Sequence, residues 1–418
     1  MKGTELVRLV VLTFVVGVAT GLAAAALMAA LHGIETVVYG HHEGQMPLVV
    51  DGTTWQQRFI GITVAGLIAG PAWWALRRWG RPVLPVEDGM SGSRLPVVET
   101  TANVVLQMAT VAAGASVGRE NAPREEGAMV ASQLSSRLGL DADTTRILVA
   151  AAAGAGLGAI YQIPLAGAVF SLEILLSAIT VRAVMVVLAC SGVATTVSGL
   201  MVGHGPLYSP MPVDGSLNTV IAGIALGVVC GALGVGFRRI IAWAEDNAPS
   251  QGVLWQLPLA FVAVGVIAIW LPWVLGNGRN AATLVLQQDP GLLLIAALAV
   301  GKFAAVVVTL RSGAVGGVLT PGFSLGALLG YLLGAALAPM LPGVTPAAFA
   351  IIGAAAFLST TMAAPLFALV VVVEFTGQPS SAYLPLFFAA ATAAATAVVM
   401  RVLLNMDWGR ITGQRMLH

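Results

Sequence analysis

Two stretches decide the fold: GAIYQIPLAGAVFSLE, residues 158–173, and PLFALVVVVE, residues 365–374. In each, a Pro-Leu pair opens an apolar segment that closes on a glutamate nine residues after the proline, at Glu173 and at Glu374. Carboxylates are expensive inside a membrane, so their recurrence at matched positions is informative. The two stretches predict an internal repeat.

The segments upstream of the two stretches match as well. Glycine-rich GASVGRE, residues 114–120, precedes the first stretch, and GAVGGVLTP, residues 313–321, precedes the second. Many membrane transporters consist of two similar halves of opposite topology. We therefore expect a single transmembrane domain with two inverted-topology halves, approximately 1–215 and 216–404. The tail, 405–418, is expected to leave no room for a soluble regulatory domain.

The composition is that of a membrane protein. Of the 418 residues, 58% are apolar and only 9% are charged, against roughly 25% charged residues in soluble domains. Glycine or proline interrupts the apolar runs at 154–158, Pro164 and Pro365. Backbone freed by such breaks is tolerated at membrane depth only where protein buries it or where it lines a watery cavity. The sequence thus predicts an all-α polytopic membrane protein with many tilted and broken helices and a transport pathway at the breaks.

The sequence lacks the residues that several classes of function require. The net charge of +1 leaves no basic surplus for nucleic acid. Cys190 and Cys230 are too far apart for a CxxC pair, and the sequence contains neither HExxH nor GxSxG. We therefore expect no enzyme, no metal site, no cofactor and no nucleic-acid partner.

Charge asymmetry predicts the orientation in the membrane. The segment 32–57 carries three acidic residues and no Lys or Arg, whereas arginines cluster at 77–81, after the second apolar run. Three more arginines follow the last run, at 401–415. By the positive-inside rule, both termini are expected to be cytoplasmic, in a multi-pass protein of the inner cell membrane.

Glu120 is the most informative charged residue. It follows a glycine-rich approach and is expected at the start of a helix that continues through Ala128. A carboxylate there faces the positive end of the helix dipole, a place that an external anion could also occupy. The alternative is a capping carboxylate paired with Arg119 or Arg124. Glu173 and Glu374 are expected instead to accept hydrogen bonds from backbone N–H groups of a neighbouring element.

Two further segments offer groups that could bind an anion. GSRLP, residues 92–96, offers the Ser93 hydroxyl at an expected helix N-cap, and GGVLTP, residues 316–321, offers backbone N–H groups at another helix start. Several helix N-termini that converge on one point would bind an anion without any lysine or arginine. The alternative for each segment alone is an ordinary cap or turn.

Taken in this order, the stretches resemble the CLC family of chloride channels and chloride/proton antiporters. The resemblance runs from about Gly89 to Thr376. The matching motifs are GSRLP at 92–96 (GSGIP in the family), GRENA at 118–122 (GREGP), the segment 158–173 (ending in PLAGxxFxxE) and GGVLTP at 316–321 (GGIFAP).

This resemblance implies a role for each matched residue. Ser93 would coordinate a central chloride ion with its hydroxyl, and the backbone amides of Val318 and Leu319 would complete the site. Glu120 would be the gating and proton-accepting glutamate. The resemblance also implies a homodimer in the lipid bilayer with one pathway in each subunit; 181–202 and 383–400 are candidate dimer segments.

Departures from the family pattern leave anion selectivity and coupling open. Arg94 and the pair Asn121-Ala122 replace glycine or proline of the family motifs, so another anion is an alternative substrate. The family's antiporters mostly carry an inner proton-relay glutamate where this chain has Ile174. No tyrosine matches the family's central tyrosine, and Trp408 is the best positional candidate, because an indole N–H can also donate to an anion.

Two mechanisms remain open at this point. In a chloride/proton antiporter, Glu120 takes up a proton, leaves the anion site and returns; in a passive anion channel it is only a gate. Ile174 favours the channel and Glu120 favours the antiporter. We favour the antiporter, because water in a cavity could replace the missing inner relay. The sequence alone does not explain the charged side chains of Arg124, Glu125 and Glu126.

Overall fold

The computed structural model describes residues 3–42 and 50–404, and within them the chain forms sixteen α-helices. The helices are α1 (Gly3–Tyr39), α2 (Trp55–Trp79), α3 (Val86–Met90), α4 (Val97–Ala112), α5 (Asn121–Leu138), α6 (Ala142–Tyr161), α7 (Pro164–Phe170), α8 (Val181–Val202), α9 (Leu217–Asp246), α10 (Val253–Trp270), α11 (Arg279–Gln287), α12 (Leu292–Arg311), α13 (Leu319–Leu337), α14 (Pro346–Thr361), α15 (Pro365–Thr376) and α16 (Tyr383–Leu403). A π-helical turn, Ser171–Leu176, continues α7, and 3₁₀ turns lie at Pro272–Val274 and Ser380–Ala382.

The helices have two lengths. Within the described ranges, nine segments are long and apolar enough to cross a membrane, whereas α4, α14, α15 and the α7 segment are shorter apolar helices. This arrangement confirms the prediction of an all-α polytopic membrane protein with broken helices.

The predicted breaks at the two prolines are confirmed. Pro164 and Pro365 each begin a helix, α7 and α15, and each follows a residue pair in which one residue has a positive φ: 59° at Gln162 and 49° at Ala363. Proline is favourable in the first turn of a helix, where its missing N–H would have no partner, whereas in a helix interior it costs a hydrogen bond. The helices α2 and α10 nevertheless continue through Pro71 and Pro258.

The glycine-rich segment 154–158 does not break its helix, so that part of the prediction was wrong. All three glycines lie inside α6. A Cβ added at Gly154 would overlap the carbonyl oxygen of Gly167 on α7, and one at Gly156 would overlap that of Pro123 on α5. The glycines let α6 pack against both helices at backbone distance, as small residues do in membrane helix pairs.

Glu173 and Glu374 join the two halves by a reciprocal exchange. The Glu374 carboxylate accepts from the backbone N–H groups of Leu165 at 3.1 Å and Ala166 at 2.6 Å, in the first turn of α7. The Glu173 carboxylate accepts from Leu366 at 3.2 Å and from Phe367 at 2.6 Å, in the first turn of α15. The prediction that these carboxylates accept from a neighbouring element's backbone is confirmed.

Candidate functional site

The two glycine-rich segments of the repeat meet through their backbones. Gly118 N–H donates to the carbonyl oxygen of Gly317 at 2.6 Å, and Gly317 N–H donates back to Gly118 at 2.9 Å. This pair lies beside the starts of two helices, since α5 begins at Asn121 and α13 at Leu319. The matched segments therefore bring both helix N-termini to one place.

The Glu120 carboxylate lies at the N-terminus of α13. Glu120 is the N-cap residue of α5, but its side chain does not cap that helix. Its Oε1 instead accepts from the N–H of Leu319 at 2.6 Å. The first N–H groups of a helix have no partner within the helix and bind anions readily. The carboxylate thus occupies an anion-binding position supplied by the other half of the protein.

Two hydroxyl groups complete the carboxylate's surroundings. Tyr161 donates to Glu120 Oε2 at 3.0 Å, and the Thr320 hydroxyl lies 3.4 Å from the same oxygen. The Arg119 guanidinium lies 5.0 Å from the centre of the Tyr161 ring. Glu120 is only 2% exposed, so its carboxylate is bound by a cluster of donors and shielded from bulk solvent.

The glycine pair leaves no spare room around the carboxylate. A Cβ added at Gly317 would lie 2.5 Å from Glu120 Cγ and closer still to the carboxylate, and one at Gly118 would overlap Oε1 and Oε2. Separations under 3.0 Å are essentially never seen for real Cβ atoms. The bound position of Glu120 therefore requires glycine at both positions.

A cavity of about 510 Å³ opens beside Glu120. Its lining includes Glu87, Arg124 and Phe170 along with Val318 and Leu319. The carboxylate thus lies at the end of a space large enough to hold an anion and water.

Comparison with known proteins places this geometry in a family. Residues 65–398 match the family model described as voltage gated chloride channel. The chain belongs to this family, the CLC chloride channels and antiporters. CLC proteins are transporters and channels rather than enzymes, and the chain is a multi-pass membrane protein.

Individual relatives cover nearly the whole chain. A chloride channel protein described as ClcB-like from Ralstonia nicotianae is 30% identical over 402 residues, which are 91% of this chain and 92% of that one. The ClC-type chloride channel ClcB of Salmonella typhimurium is 28% identical over 390 residues, covering 89% and 91%.

Solved structures share the CLC fold. A slow cyanobacterial Cl⁻/H⁺ antiporter superposes with a TM-score of 0.79 at 21% identity, covering 98% of this chain and 99% of that one. A CLC-type fluoride/proton antiporter superposes with a TM-score of 0.72 at 21% identity, covering 96% of each chain.

The structure brings together some of the expected CLC site residues. Glu120, Val318 and Leu319 share one cavity, and Ile174 lines a second cavity next to it. Trp408 lies outside the described residues. Whether these residues bind an anion stays a prediction.

Ser93 does not join this group. It is exposed, its N–H donates to the Asp88 carbonyl, and it is not among the residues that line the cavity at Glu120. The predicted N-cap role was wrong, because α4 begins after Pro96, which is its N-cap. The loop that does reach the cavity is the preceding one, with Pro85 at the N-terminus of α3.

Sequence reasoning missed Tyr161, although it stands in the deciding stretch, two residues after Ala159 and three before Pro164. A buried tyrosine hydroxyl usually has a hydrogen-bond partner. A tyrosine directly before a helix break in an apolar stretch was therefore a usable signal.

The unexplained charges of α5 have separate partners. Arg124 donates to Asn121 Oδ1 at 2.9 Å and lies 4.4 Å from the centre of the Phe170 ring. Glu125 accepts from the side chains of Asn103 and Gln107. Glu126 accepts from the Thr101 hydroxyl at 3.2 Å. These contacts join α5 to α4, so the charges of Glu125 and Glu126 serve helix packing.

Proposed function

We propose that this protein exchanges chloride for protons across the inner cell membrane, with Glu120 as the gate and proton acceptor. The observation that carries the proposal is the 2.6 Å hydrogen bond from the Leu319 N–H to the Glu120 carboxylate. The backbone amide that the family resemblance gives to the anion is occupied by a side-chain anion. Relatives named as chloride channels and structural neighbours named as proton antiporters support the same function.

Protonation of Glu120 is the step that would couple the two ions. An ionised carboxylate accepts strong, charge-assisted hydrogen bonds from Leu319 and Tyr161. A protonated carboxyl group loses this advantage, so chloride can displace it from the N-terminus of α13. Chloride and the ionised side chain exclude each other because like charges cannot share one site.

The anion ligands that the geometry supports differ from those first predicted. We propose that the amides of Val318 and Leu319 and the hydroxyls of Tyr161 and Thr320 replace the hydration shell of the anion, as pore dipoles do. All four groups lie at or next to the position of the Glu120 carboxylate. Ser93 has no part in this arrangement.

Two alternatives to chloride/proton exchange keep support from specific residues. Ile174 cannot titrate, and this favours a passive channel in which Glu120 only gates. The proposed site has the hydroxyls of Tyr161 and Thr320 in place of the Ser93 hydroxyl, so an anion other than chloride is the second alternative. Fluoride is the first to test, because one structural neighbour is named as a fluoride/proton antiporter.

Vesicles that contain the purified protein test the exchange directly. With simultaneous recording of chloride and pH, an outward chloride gradient should drive protons inward from zero initial pH difference. Glu120→Gln should abolish the proton flux while chloride movement persists. Glu126→Gln is the matched control on the same helix, because its carboxylate binds Thr101, away from the cavity. Chloride flux without proton movement in the unmodified protein would leave only the channel.

We further propose a homodimer that covers the starts of α7 and α15. Leu165 and Leu366, in the first turns of these short helices, are 48% and 49% exposed. The adjacent carboxylates of Glu374 and Glu173 are only partly buried. Ionised groups facing hydrocarbon are costly, so a second copy packed on this surface, together with α8 and α16, would shield them. Single cysteines at Leu165 should cross-link between subunits in detergent; a monomer at every concentration would contradict the dimer.

Arginines support a cytoplasmic location for both termini. Arg8, at the start of α1, donates to the Leu138 carbonyl, and Arg77, at the end of α2, donates to the carbonyls of Pro249 and Gly313. Since α1 and α2 are consecutive candidate spans, the start of α1 and the end of α2 belong to one side of the protein. We call this side the arginine-rich face; it includes Arg8, Arg77, Arg78, Arg137, Arg182, Arg239, Arg311 and Arg401. The opposite side holds Arg58 and Arg279 with several aspartates. By the positive-inside rule, the arginine-rich face is cytoplasmic, and labelling of a cysteine at Arg8 from each side of the membrane tests this.

A further inference from the structure

The cavity at Glu120 continues into a second cavity of about 390 Å³ that contains Ile174. The two cavities share six lining residues, Glu87, Arg124, Phe170, Glu245, Val318 and Met362. A continuous space therefore leads from the carboxylate of Glu120 past the position where a titratable relay was expected.

One face of α9 forms a wall of the second cavity. Arg238, Ile241, Ala242 and Glu245 all line it, at the spacing of one helix face. Glu245 lies in the last turn of α9, which ends at Asp246, and its side chain is exposed. The end of α9 lies on the arginine-rich face, because Arg77 bonds to Pro249 just beyond it. Glu245 is thus open to solution at one end of a space that reaches Glu120.

Of the carboxylates along this space, Glu245 is the one placed to carry protons. Glu173 uses both oxygens to accept backbone N–H groups of α15. Glu87, in the first turn of α3, interacts electrostatically with the Arg124 guanidinium. Glu245 instead lies beside another carboxylate, Asp246, at the exposed end of α9. The cations that face the same space are Arg124 and Arg238.

We propose that Glu245 is the inner proton relay, which takes the place of the titratable side chain missing at Ile174. A proton from solution binds the Glu245 carboxylate, passes along cavity water to the Glu120 carboxylate, and leaves Glu245 ionised; no other bond is made or broken. At about 30 Å³ for each water, the cavity beside Glu120 has room for roughly 15 molecules. This inference rests on the proposed proton exchange.

The test is Glu245→Gln in vesicles, with chloride and proton fluxes recorded together. We expect the proton flux to fall at least about 10-fold while chloride flux stays within about three-fold of the unmodified protein, which also shows that the variant is folded. Asp246→Asn, the adjacent carboxylate outside both cavities, should keep most of its proton flux. Ile174→Glu in the Glu245→Gln background should restore proton flux, because it returns a carboxylate to the same cavity.

Each outcome separates this inference from the proposed function. Unmodified protein that moves chloride without protons would overturn both. If the unmodified protein moves protons and Glu245→Gln does so equally well, proton exchange stands and the role of Glu245 is refuted. If Glu87→Gln loses its proton flux and Glu245→Gln keeps it, the role of Glu245 is likewise refuted and the relay is assigned to Glu87 on α3.

Discussion

Replacing Gly317 with alanine should force the Glu120 side chain out of its bound position. The new Cβ would overlap the Glu120 carboxylate and lie 2.5 Å from its Cγ; since ordinary contact begins at 3.4 Å, the side chain must shift by at least about 0.9 Å. Such a shift stretches the 2.6 Å bond from the Leu319 N–H to about 3.5 Å or more, beyond hydrogen-bond range. A hydrogen bond to a charged group contributes about 1.5–3 kcal/mol. At 1.4 kcal/mol for each factor of ten, the bound position should lose occupancy by roughly 10- to 100-fold.

Chloride efflux from vesicles measures this displacement. In the unmodified protein, acidic buffer should accelerate efflux, because protonated Glu120 leaves the anion site. Gly317→Ala should give fast efflux in neutral and acidic buffer alike. Gly118→Ala should behave in the same way, since its Cβ meets the same carboxylate.

Two controls separate gate displacement from general damage. Gly33→Ala, on α1, adds a methyl group where no atom lies within 4 Å and should change nothing. In a Glu120→Ala background the side chain that the new Cβ would meet is absent, so Gly317→Ala should have no further effect on efflux. A double-mutant cycle measures this. Unchanged pH dependence of efflux in Gly317→Ala would refute the clamping of Glu120 by glycine.

Three further changes test other contacts. Tyr161→Phe removes one hydrogen bond to the gate carboxylate and should raise neutral-pH chloride efflux, but by less than Gly317→Ala; equal efflux in variant and unmodified protein would exclude the hydroxyl from gating. Asp141→Ala removes the N-cap of α6, whose carboxylate binds the N–H and hydroxyl of Thr144, and should lower stability by about 1 kcal/mol at neutral pH. The Thr144 hydrogen bonds lower the pKa of Asp141, so the stabilisation by the N-cap is fully present above the ordinary pKa of an aspartate and is lost as the pH falls through the lowered pKa. The difference in Tm between Asp141→Ala and the unmodified protein should therefore vanish in acid. A difference in Tm that persists in acid would contradict the capping role. Lys302→Met leaves three acceptors, including the buried Ser116 Oγ, without the ammonium group, and should lower the detergent Tm more than Ser116→Ala does.

Spacing and residue chemistry were enough to predict the skeleton of the fold. Two prolines, each nine residues before a glutamate, predicted both helix breaks and the backbone-binding role of Glu173 and Glu374. These predictions succeeded because a broken membrane helix must satisfy its free N–H groups, and a carboxylate at a fixed distance is a direct solution. Glu120 was found in the same way, from glycine and charge at a helix start.

The site predictions that were wrong or incomplete depend on which helices pack together. Leu-Pro precedes a helix at residues 84–85 and again at residues 95–96, and local sequence cannot tell which helix start faces the anion cavity. Because α3 packs against α5 and α6, the helix start at Pro85 faces the cavity, whereas Ser93 lies on the surface. Tyr161 was missed for the same reason, since its hydroxyl meets Glu120 only when the end of α6 and the start of α13 converge.

The exchange of carboxylates between the two halves also governs the order of events during synthesis. The first turn of α7 finds its acceptor at Glu374, 209 residues after Leu165 and 208 after Ala166. At about 5–20 residues per second, the ribosome needs roughly 10 to 40 s to make that acceptor. During this interval the amides of α7 are inside the membrane without their native partner, and Glu173 waits equally for α15. Neither half can therefore reach its final form alone, and completion of the first half is timed by translation of the second.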